Sequence, residues 1–409
     1  MRSLPVVAAT LLATASVSAA GIALDETGLE GLVWHAETLD GKVVAFRRAD
    51  EPINPASLVK MATTLLALER LGPDHRFETH FELSGPLDAE TGTVRGSLIV
   101  RGAGDPDFHW ENAWLVAAEL RTRGIQRFEG DVVVVPPFWF GWEGGAEREI
   151  VDADERAIAM GERLRVALDP PRWPKEAAET WVRSGRGGEK IAIPFAGRVR
   201  LDASARGTPL VAHVSKPLTA VLRRFNAYSN NDIERIGDLL GGPQALARGT
   251  SEKVGGSAVR LETTSGLGVN RMTSRQIVAL LRALSTAAAQ ARTPVGELLP
   301  TAGCDPGTLA QFFPRLSTAP FAGSVTGKTG SLTLTDGGIA AFAGYAQTRQ
   351  GTVLFSVAYP RAGRHMAEAR RAEERFVVRL VESLGGPQPD ACATGLPAAD
   401  SDTRVVAEE

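Results

Sequence analysis

Apolar residues recur at helical spacing in five stretches of the chain: 54–72, 110–124, 217–242, 273–291 and 366–386. In the first, NPASLVKMATTLLALERLG, Asn54 suits an N-cap and Pro55 the first helical position, while Gly72-Pro73 stops an amphipathic helix. The stretch 217–242 is helical on both sides of a break near Ser229, and 273–291 opens with a capping-box pair, Thr273 with Gln276. The stretch 366–386 reads as a closing amphipathic helix. Strand character shows at 29–37 and 41–48, which flank Thr38-Leu39-Asp40-Gly41 as a hairpin, and at 324–359, where two alternating runs flank Arg349-Gln350-Gly351.

Between about 79 and 208 the pattern changes. Short strand-like runs at 80–85, 93–108, 130–145 and 190–203 surround one helical stretch, and the remainder is irregular and rich in Gly, Pro, Arg and Trp. We read 79–208 as an inserted, mainly β domain that interrupts a body built from 21–78 and 209–386. The Pro- and acid-rich end, 387–409, reads as a disordered tail.

Composition narrows the class. At 409 residues, with 44% hydrophobic and 23% charged residues, the chain can bury a sizeable core as a soluble globular protein. A net charge of −3 gives no general reason to expect nucleic acid as a partner. The first residues carry Arg2, an apolar run from Val6 to Val17 and the small residues Ser18-Ala19-Ala20, the pattern of a signal peptide over 1–20 and of export to the periplasm or another extracytoplasmic space. Cys304 and Cys392 could pair in an oxidising compartment or remain free thiols, and both readings stand.

Lysine occurs only at positions 42, 60, 175, 190, 216, 253 and 328; arginine supplies the rest of the positive charge. Arginine does not release its proton in a protein, whereas a suitably placed lysine does, so Lys60 and Lys328 stand out. Ser57 falls in the first turn of the 54–72 helix, and Lys60, three residues on, shares its face. Two further short motifs follow in order, Ser229-Asn230-Asn231 near the helical break and Lys328-Thr329-Gly330 at the opening of an alternating strand. Each alone is a polar helix turn, a loop or a strand start. Together, in this order and context, they are the parts of an active-site serine enzyme.

At these residues, and at the segments GSLIVRGAGDPDF, FNAYSNNDIERI, LLPTAGCDPGTL and GKTGSL with AFAGYA, the chain resembles the class C low-molecular-mass penicillin-binding proteins. These are the D-alanyl-D-alanine carboxypeptidase/endopeptidases typified by penicillin-binding protein 4. The resemblance implies an α/β (α+β) fold of the serine β-lactamase/DD-transpeptidase type, with the insert between the first two motifs. It implies Ser57 as nucleophile, Lys60 as general base and Ser229 as proton relay to the leaving amine. Asn231 would hold the substrate amide and Lys60, and Lys328 and Thr329 the substrate's terminal carboxylate. Gly330 would admit a peptide backbone against the strand, and the Ser57 and Ser331 N–H groups would form the oxyanion hole. The implied partners are peptidoglycan stem peptides ending in D-Ala-D-Ala, with β-lactams as covalent inhibitors; loose membrane or wall association stays open, and no oligomeric state follows. No metal or other cofactor is required. Where family members carry Asp-Gly-Ser-Gly-Leu, this chain reads Thr263-Thr264-Ser265-Gly266-Leu267.

Other classes fit less well. GSVTGKTG resembles a P-loop, but Ala322 stands where that loop needs glycine, and a strand pattern follows where a helix is required. The histidines at 35, 75, 80, 109, 213 and 365 show no zinc-ligand spacing. A β-lactamase, or a wall-binding protein without turnover, shares the motifs and remains the alternative. The peptidase reading requires residues 57, 60, 229, 231 and 328 to meet in one groove.

Overall fold

The computed structural model describes residues 24–145, 150–185, 187–256, 258–393, 395–396, 398, 400 and 402–408. The expected signal segment, 1–20, lies outside the described residues.

A five-stranded antiparallel sheet joins the two ends of the chain in the order Val325–Leu332, Ile339–Thr348, Gly351–Pro360, Val33–Thr38 and Val43–Arg47. The first alternating run of the sequence is two strands, because Thr335–Gly337 turns the chain between Leu332 and Ile339. Both faces are covered. Ala341, Ala343, Tyr345 and Leu354 pack against a helical group, and Phe342, Phe355 and Val357 pack against Phe376 and Val377 of the closing helix Met366–Ser383. A strand buried on both sides needs apolar residues throughout, which is why Ile339–Thr348 reads almost continuously apolar.

The helix after Ser57 departs from the amphipathic pattern expected of it. A single turn, Ala56–Leu58, leads into the helix Val59–Leu71, and every residue from Val59 to Leu68 is buried. The sheet covers one side, and the helices Leu218–Tyr228, Gly242–Val254 and Ser274–Gln290 cover the others. Lys60, Thr63 and Thr64 are therefore interior residues. Truncating a core side chain such as Leu65 to alanine here costs about 2–5 kcal/mol.

A second, six-stranded mixed sheet runs Val199–Leu201, Val132–Val135, Leu98–Gly102, Glu78–Leu83, Thr208–Val214 and Arg404–Ala407. Its core gathers Phe108, Trp114, Phe128 and Trp181. The region is more mixed than the mainly β insert expected: besides Trp110–Thr122, the helices Ala153–Ala167 and Lys175–Arg183 fall in the stretch that reads as irregular. Each buries a narrow apolar stripe (Ala157, Met160, Leu164; Ala177, Trp181) between charged positions.

The tail corrects the sequence reading. Cys392 is bonded to Cys304, Lys216 donates to the Ala398 carbonyl at 2.9 Å, and Arg404–Ala407 pairs antiparallel with Thr208–Val214. The composition of 387–409 hid a strand because its Val405 and Val406 find a sheet edge only in the folded molecule. The bond spans 88 residues of sequence, so its loss frees the unfolded chain by up to about 4 kcal/mol. Reductant, or Cys392→Ser, is expected to lower the thermal midpoint by several degrees, measured by circular dichroism, and reductant is expected to have no further effect on the variant.

Candidate active site

The three motifs meet where the central sheet's outer strand, Val325–Leu332, approaches the helical group: Lys60 contacts Ser57 and Asn231, Lys328 contacts Ser229 and feels the charge of Lys60, and Gly330 lies against the turn of Ser57. Lys60 Nζ lies 2.9 Å from Ser57 Oγ and donates to Asn231 Oδ1 at 2.8 Å and to the Ser265 carbonyl at 2.7 Å. On the facing wall Lys328 Nζ donates to Ser229 Oγ and to the Thr329 carbonyl, both at 2.8 Å. Thr329 Oγ1 donates to Thr308 Oγ1 at 2.7 Å, and Ser331 Oγ accepts from Arg370 at 3.1 Å.

The local sequence makes these positions. The Asn54 side chain accepts from the Ala56 N–H at 3.1 Å and starts the turn, and Ala56 takes a left-handed φ of 48° immediately before Ser57. Ser229, closing the helix Leu218–Tyr228, is left-handed as well, with φ 54°. Such backbone costs a side-chain-bearing residue about 1–3 kcal/mol, and the surrounding packing must hold it. Gly330 lies against the turn that carries Ser57. A Cβ there would press against Pro55 O at 2.9 Å and Ser57 N at 3.2 Å, so the glycine lets the strand approach the nucleophile's own turn. Gly266, with φ 94°, similarly leaves no room for a Cβ beside the Ala56 carbonyl.

Both amines are removed from water. Burial pushes Lys60 down to about 7, against the pull of the Glu234 and Asp232 carboxylates. Burial, and then the charge of Lys60, holds Lys328 well below the usual lysine range. Desolvation is the larger cause at both amines, and the repulsion between them acts on each. Lys60 near neutrality is poised to exchange a proton. Its bonds to Asn231 and Ser265 run to pure acceptors and use two N–H groups, which leaves the nitrogen lone pair of the neutral amine for the Ser57 hydroxyl.

Sequence reasoning missed three contributors. The Ser265 carbonyl is a direct Lys60 partner, and the Thr263-Thr264 departure leaves it in place. Thr263 Oγ1 accepts from Gly266 N at 3.0 Å and donates to the Leu267 carbonyl at 3.0 Å, so a hydroxyl closes the loop on itself. Glu234, five residues after Ser229, accepts from Ser265 Oγ at 2.6 Å. Thr308, next to the disulfide-bonded Cys304 loop, lies in the segment LLPTAGCDPGTL that carried the resemblance, but was given no role there. The stretch 143–145 also abuts this region: Asp232 accepts from the N–H groups of Glu143, Gly144 and Gly145 at 2.8, 3.1 and 3.0 Å. Asp107 is ion-paired with Lys216 and Arg224, each at 3.1 Å.

Comparison with known proteins identifies this assembly. A family model described as the D-Ala-D-Ala carboxypeptidase 3 (S13) family matches residues 19–153 and 191–382. The chain belongs to that family. It is thereby a serine peptidase of the penicillin-binding protein 4 type, and the fold is the one its motifs implied. It is 25% identical over 468 aligned positions to a D-alanyl-D-alanine carboxypeptidase of Actinomadura sp. strain R39, covering 90% of this chain and 84% of the relative. It is 29% identical to the carboxypeptidase DacB of Mycolicibacterium smegmatis, over 83% of this chain and 78% of the relative. A predatory endopeptidase of Bdellovibrio bacteriovorus, solved with its immunity protein, superimposes with a TM-score of 0.75 at 20% identity over 92% of this chain and 99% of that one. Penicillin-binding protein 4 of Haemophilus influenzae gives 0.62 at 19% identity, over 86% and 96% of the two chains.

With Lys60 acting as base in its neutral form, acylation of Ser57 by a serine-directed reagent would slow about tenfold per unit as pH falls below about 7 and level off above it. Glu234→Gln removes a charge that favours the protonated amine, so the inflection of the rate profile is expected to move to lower pH.

Proposed function

We propose that Ser57, activated by Lys60, cleaves the bond after the penultimate D-alanine of peptidoglycan stem peptides through a covalent acyl-enzyme. The observation that carries this reading is the 2.9 Å contact between Ser57 Oγ and a buried amine whose pKa lies near 7, facing a second lysine bonded to Ser229. Ser57 Oγ attacks the D-alanyl carbonyl carbon while its proton passes to Lys60. Negative charge gathers on the carbonyl oxygen, which the N–H groups of Ser57 and Ser331 stabilise, each by about 3 kcal/mol. The Thr329 carbonyl faces the cleft, where Lys328 donates to it. The residue two positions on presents its backbone to the same side, which supports Ser331 N–H as the second donor.

Ser229 completes the transfer. Its oxygen accepts from Lys328, so its own proton is available for the leaving nitrogen, and the C–N bond breaks as that proton arrives. The proton that Lys60 took from Ser57 passes on to Ser229, which returns the amine to its neutral form; water then attacks the ester, Lys60 takes the water's proton, and that proton passes to Ser57 Oγ as the acyl–oxygen bond breaks. Asn231 orients Lys60 and the substrate amide; Lys328, Thr329 and Ser331 bind the terminal carboxylate, and Gly330 allows the strand and the nucleophile's turn to close the site. If the departing amine is free D-alanine the enzyme acts as a carboxypeptidase, and if it belongs to a cross-linked stem peptide, as an endopeptidase.

β-Lactams, which present a strained amide beside a carboxylate, are expected to acylate the same serine; a relative from Bdellovibrio bacteriovorus has been solved acylated by penicillin G. The signal-like 1–20 supports export to the compartment where this substrate is found. We further propose that 79–208 is a domain inserted into the peptidase body 21–78 and 209–386, docked on it through Asp107 and Asp232.

Mass spectrometry after penicillin treatment is expected to show one adduct, on Ser57; an adduct on another residue overturns the assignment. Release of D-alanine from an acyl-D-Ala-D-Ala peptide is expected to fall at least about a thousandfold in Ser57→Ala. Rapid penicillin hydrolysis would identify a lactamase instead, and neither activity a wall-binding protein.

A further inference from the structure

Arg370, on the closing helix Met366–Ser383, reaches the cleft beside the Lys328-Thr329-Gly330 strand and has no part in the reaction as described so far. Its Nη2 donates to Ser331 Oγ at 3.1 Å, and its guanidinium carbon stacks 3.4 Å from the centre of the Phe312 ring. Its buried Nε has no hydrogen-bond partner. Among the described residues no carboxylate forms an ion pair with it. The nearby Glu373 carboxyl is fully buried, and burial pushes it well above the usual carboxylate range against the pull of the Arg370 guanidinium. A stacked, half-buried guanidinium thus stands beside the Ser331 hydroxyl, with Glu373 the acidic group that bears on it.

The direction of the Arg370–Ser331 bond matters. A guanidinium has donors only, so Ser331 Oγ must accept, and the hydroxyl's single proton is left to point elsewhere. Residues two apart on a strand share a face, so Thr329 and Ser331 present their hydroxyls side by side. Thr308 fixes the first and Arg370 the second.

We propose that Arg370 is a positioning residue for the substrate's terminal carboxylate: it holds the Ser331 hydroxyl as a donor toward that anion and adds the positive potential that keeps it there. This rests on the acyl-transfer reaction proposed above. The same carboxylate flanks the scissile nitrogen in a free D-Ala-D-Ala terminus and in a D-centred cross-link, so Arg370 would serve both substrates.

The test compares two acyl-D-Ala-D-Ala peptides that differ only in ending as a carboxylate or a carboxamide. In Arg370→Gln, kcat/KM for the carboxylate peptide is expected to fall about tenfold, mainly through KM, while the carboxamide peptide changes by less than about twofold. Arg370→Lys keeps the charge and is expected to lose only about threefold, again on the carboxylate peptide alone; it carries the test if the glutamine variant does not fold. In a Ser331→Ala background the Arg370→Gln effect is expected to shrink severalfold, since the two act through one contact. Equal losses on both peptides, or none, would make Arg370 a structural tie between helix and sheet and overturn the proposal, leaving the reaction intact. Absence of any Ser57-dependent turnover in the unaltered chain would overturn the reaction, and this inference with it.

Discussion

A lysine amine taken out of water is the constraint around which the rest of the molecule is arranged. An unpaired ammonium in the interior costs several kcal/mol, and the protein answers by offering Lys60 acceptors from three different parts of the chain: Ser57, Asn231 and the Ser265 carbonyl. Those acceptors must be delivered within about 3 Å of one atom, so the helix Val59–Leu71, the helix that ends at Ser229 and the loop 263–267 must dock in a single relation. Ties between them run through Thr63 to the Thr264 carbonyl at 2.6 Å, and through Asn226 to Thr64 at 2.9 Å. The desolvation that makes the amine expensive to bury also makes it a base at neutral pH. Stability and reactivity are set by the same act of burial.

The left-handed residues on either wall follow from that demand. Ala56 turns the chain so that Ser57 meets Lys60, and Ser229 turns it so that its hydroxyl meets Lys328 rather than continuing along the helix. Neither residue is a glycine, so the strain is held by neighbours: Asn54 and Gly266 at the first site, the Phe225 and Asn226 carbonyls at the second. The stretch 143–145 bears on the second site from behind, since Asp232 gathers three of its backbone N–H groups one residue after Asn231. The sheet end of the cleft is braced from the chain's last third, by the Cys304 loop through Thr308 and by the closing helix through Arg370. Each wall of the site thus has its own backing element, and none of those elements carries a reacting atom.

What could be read from the sequence is what short-range chemistry encodes. A serine three residues before a lysine at a helix start, a Ser-x-Asn at a helical break and a Lys-Thr-Gly opening a strand are each local, because helix and strand geometry alone decides which side chains share a face. The helices and the hairpin rest on the same periodicities. Patterns failed where neighbours distant in sequence rewrite the environment. The helix after Ser57 reads as amphipathic and is buried all round, and the tail reads as disordered and supplies a strand.

The sequence by itself therefore determined the inventory: which hydroxyls, which amines and in what order. Only the tertiary structure decided that Cys304 meets Cys392, that a carbonyl in a departed loop still reaches Lys60, and that an arginine 39 residues beyond Ser331 turns back to it. The physical reason is that a backbone carbonyl, a disulfide partner or a guanidinium's reach leaves no periodic trace. A pKa near 7 is likewise a property of the surrounding protein and not of lysine, because it measures how much water the fold has removed.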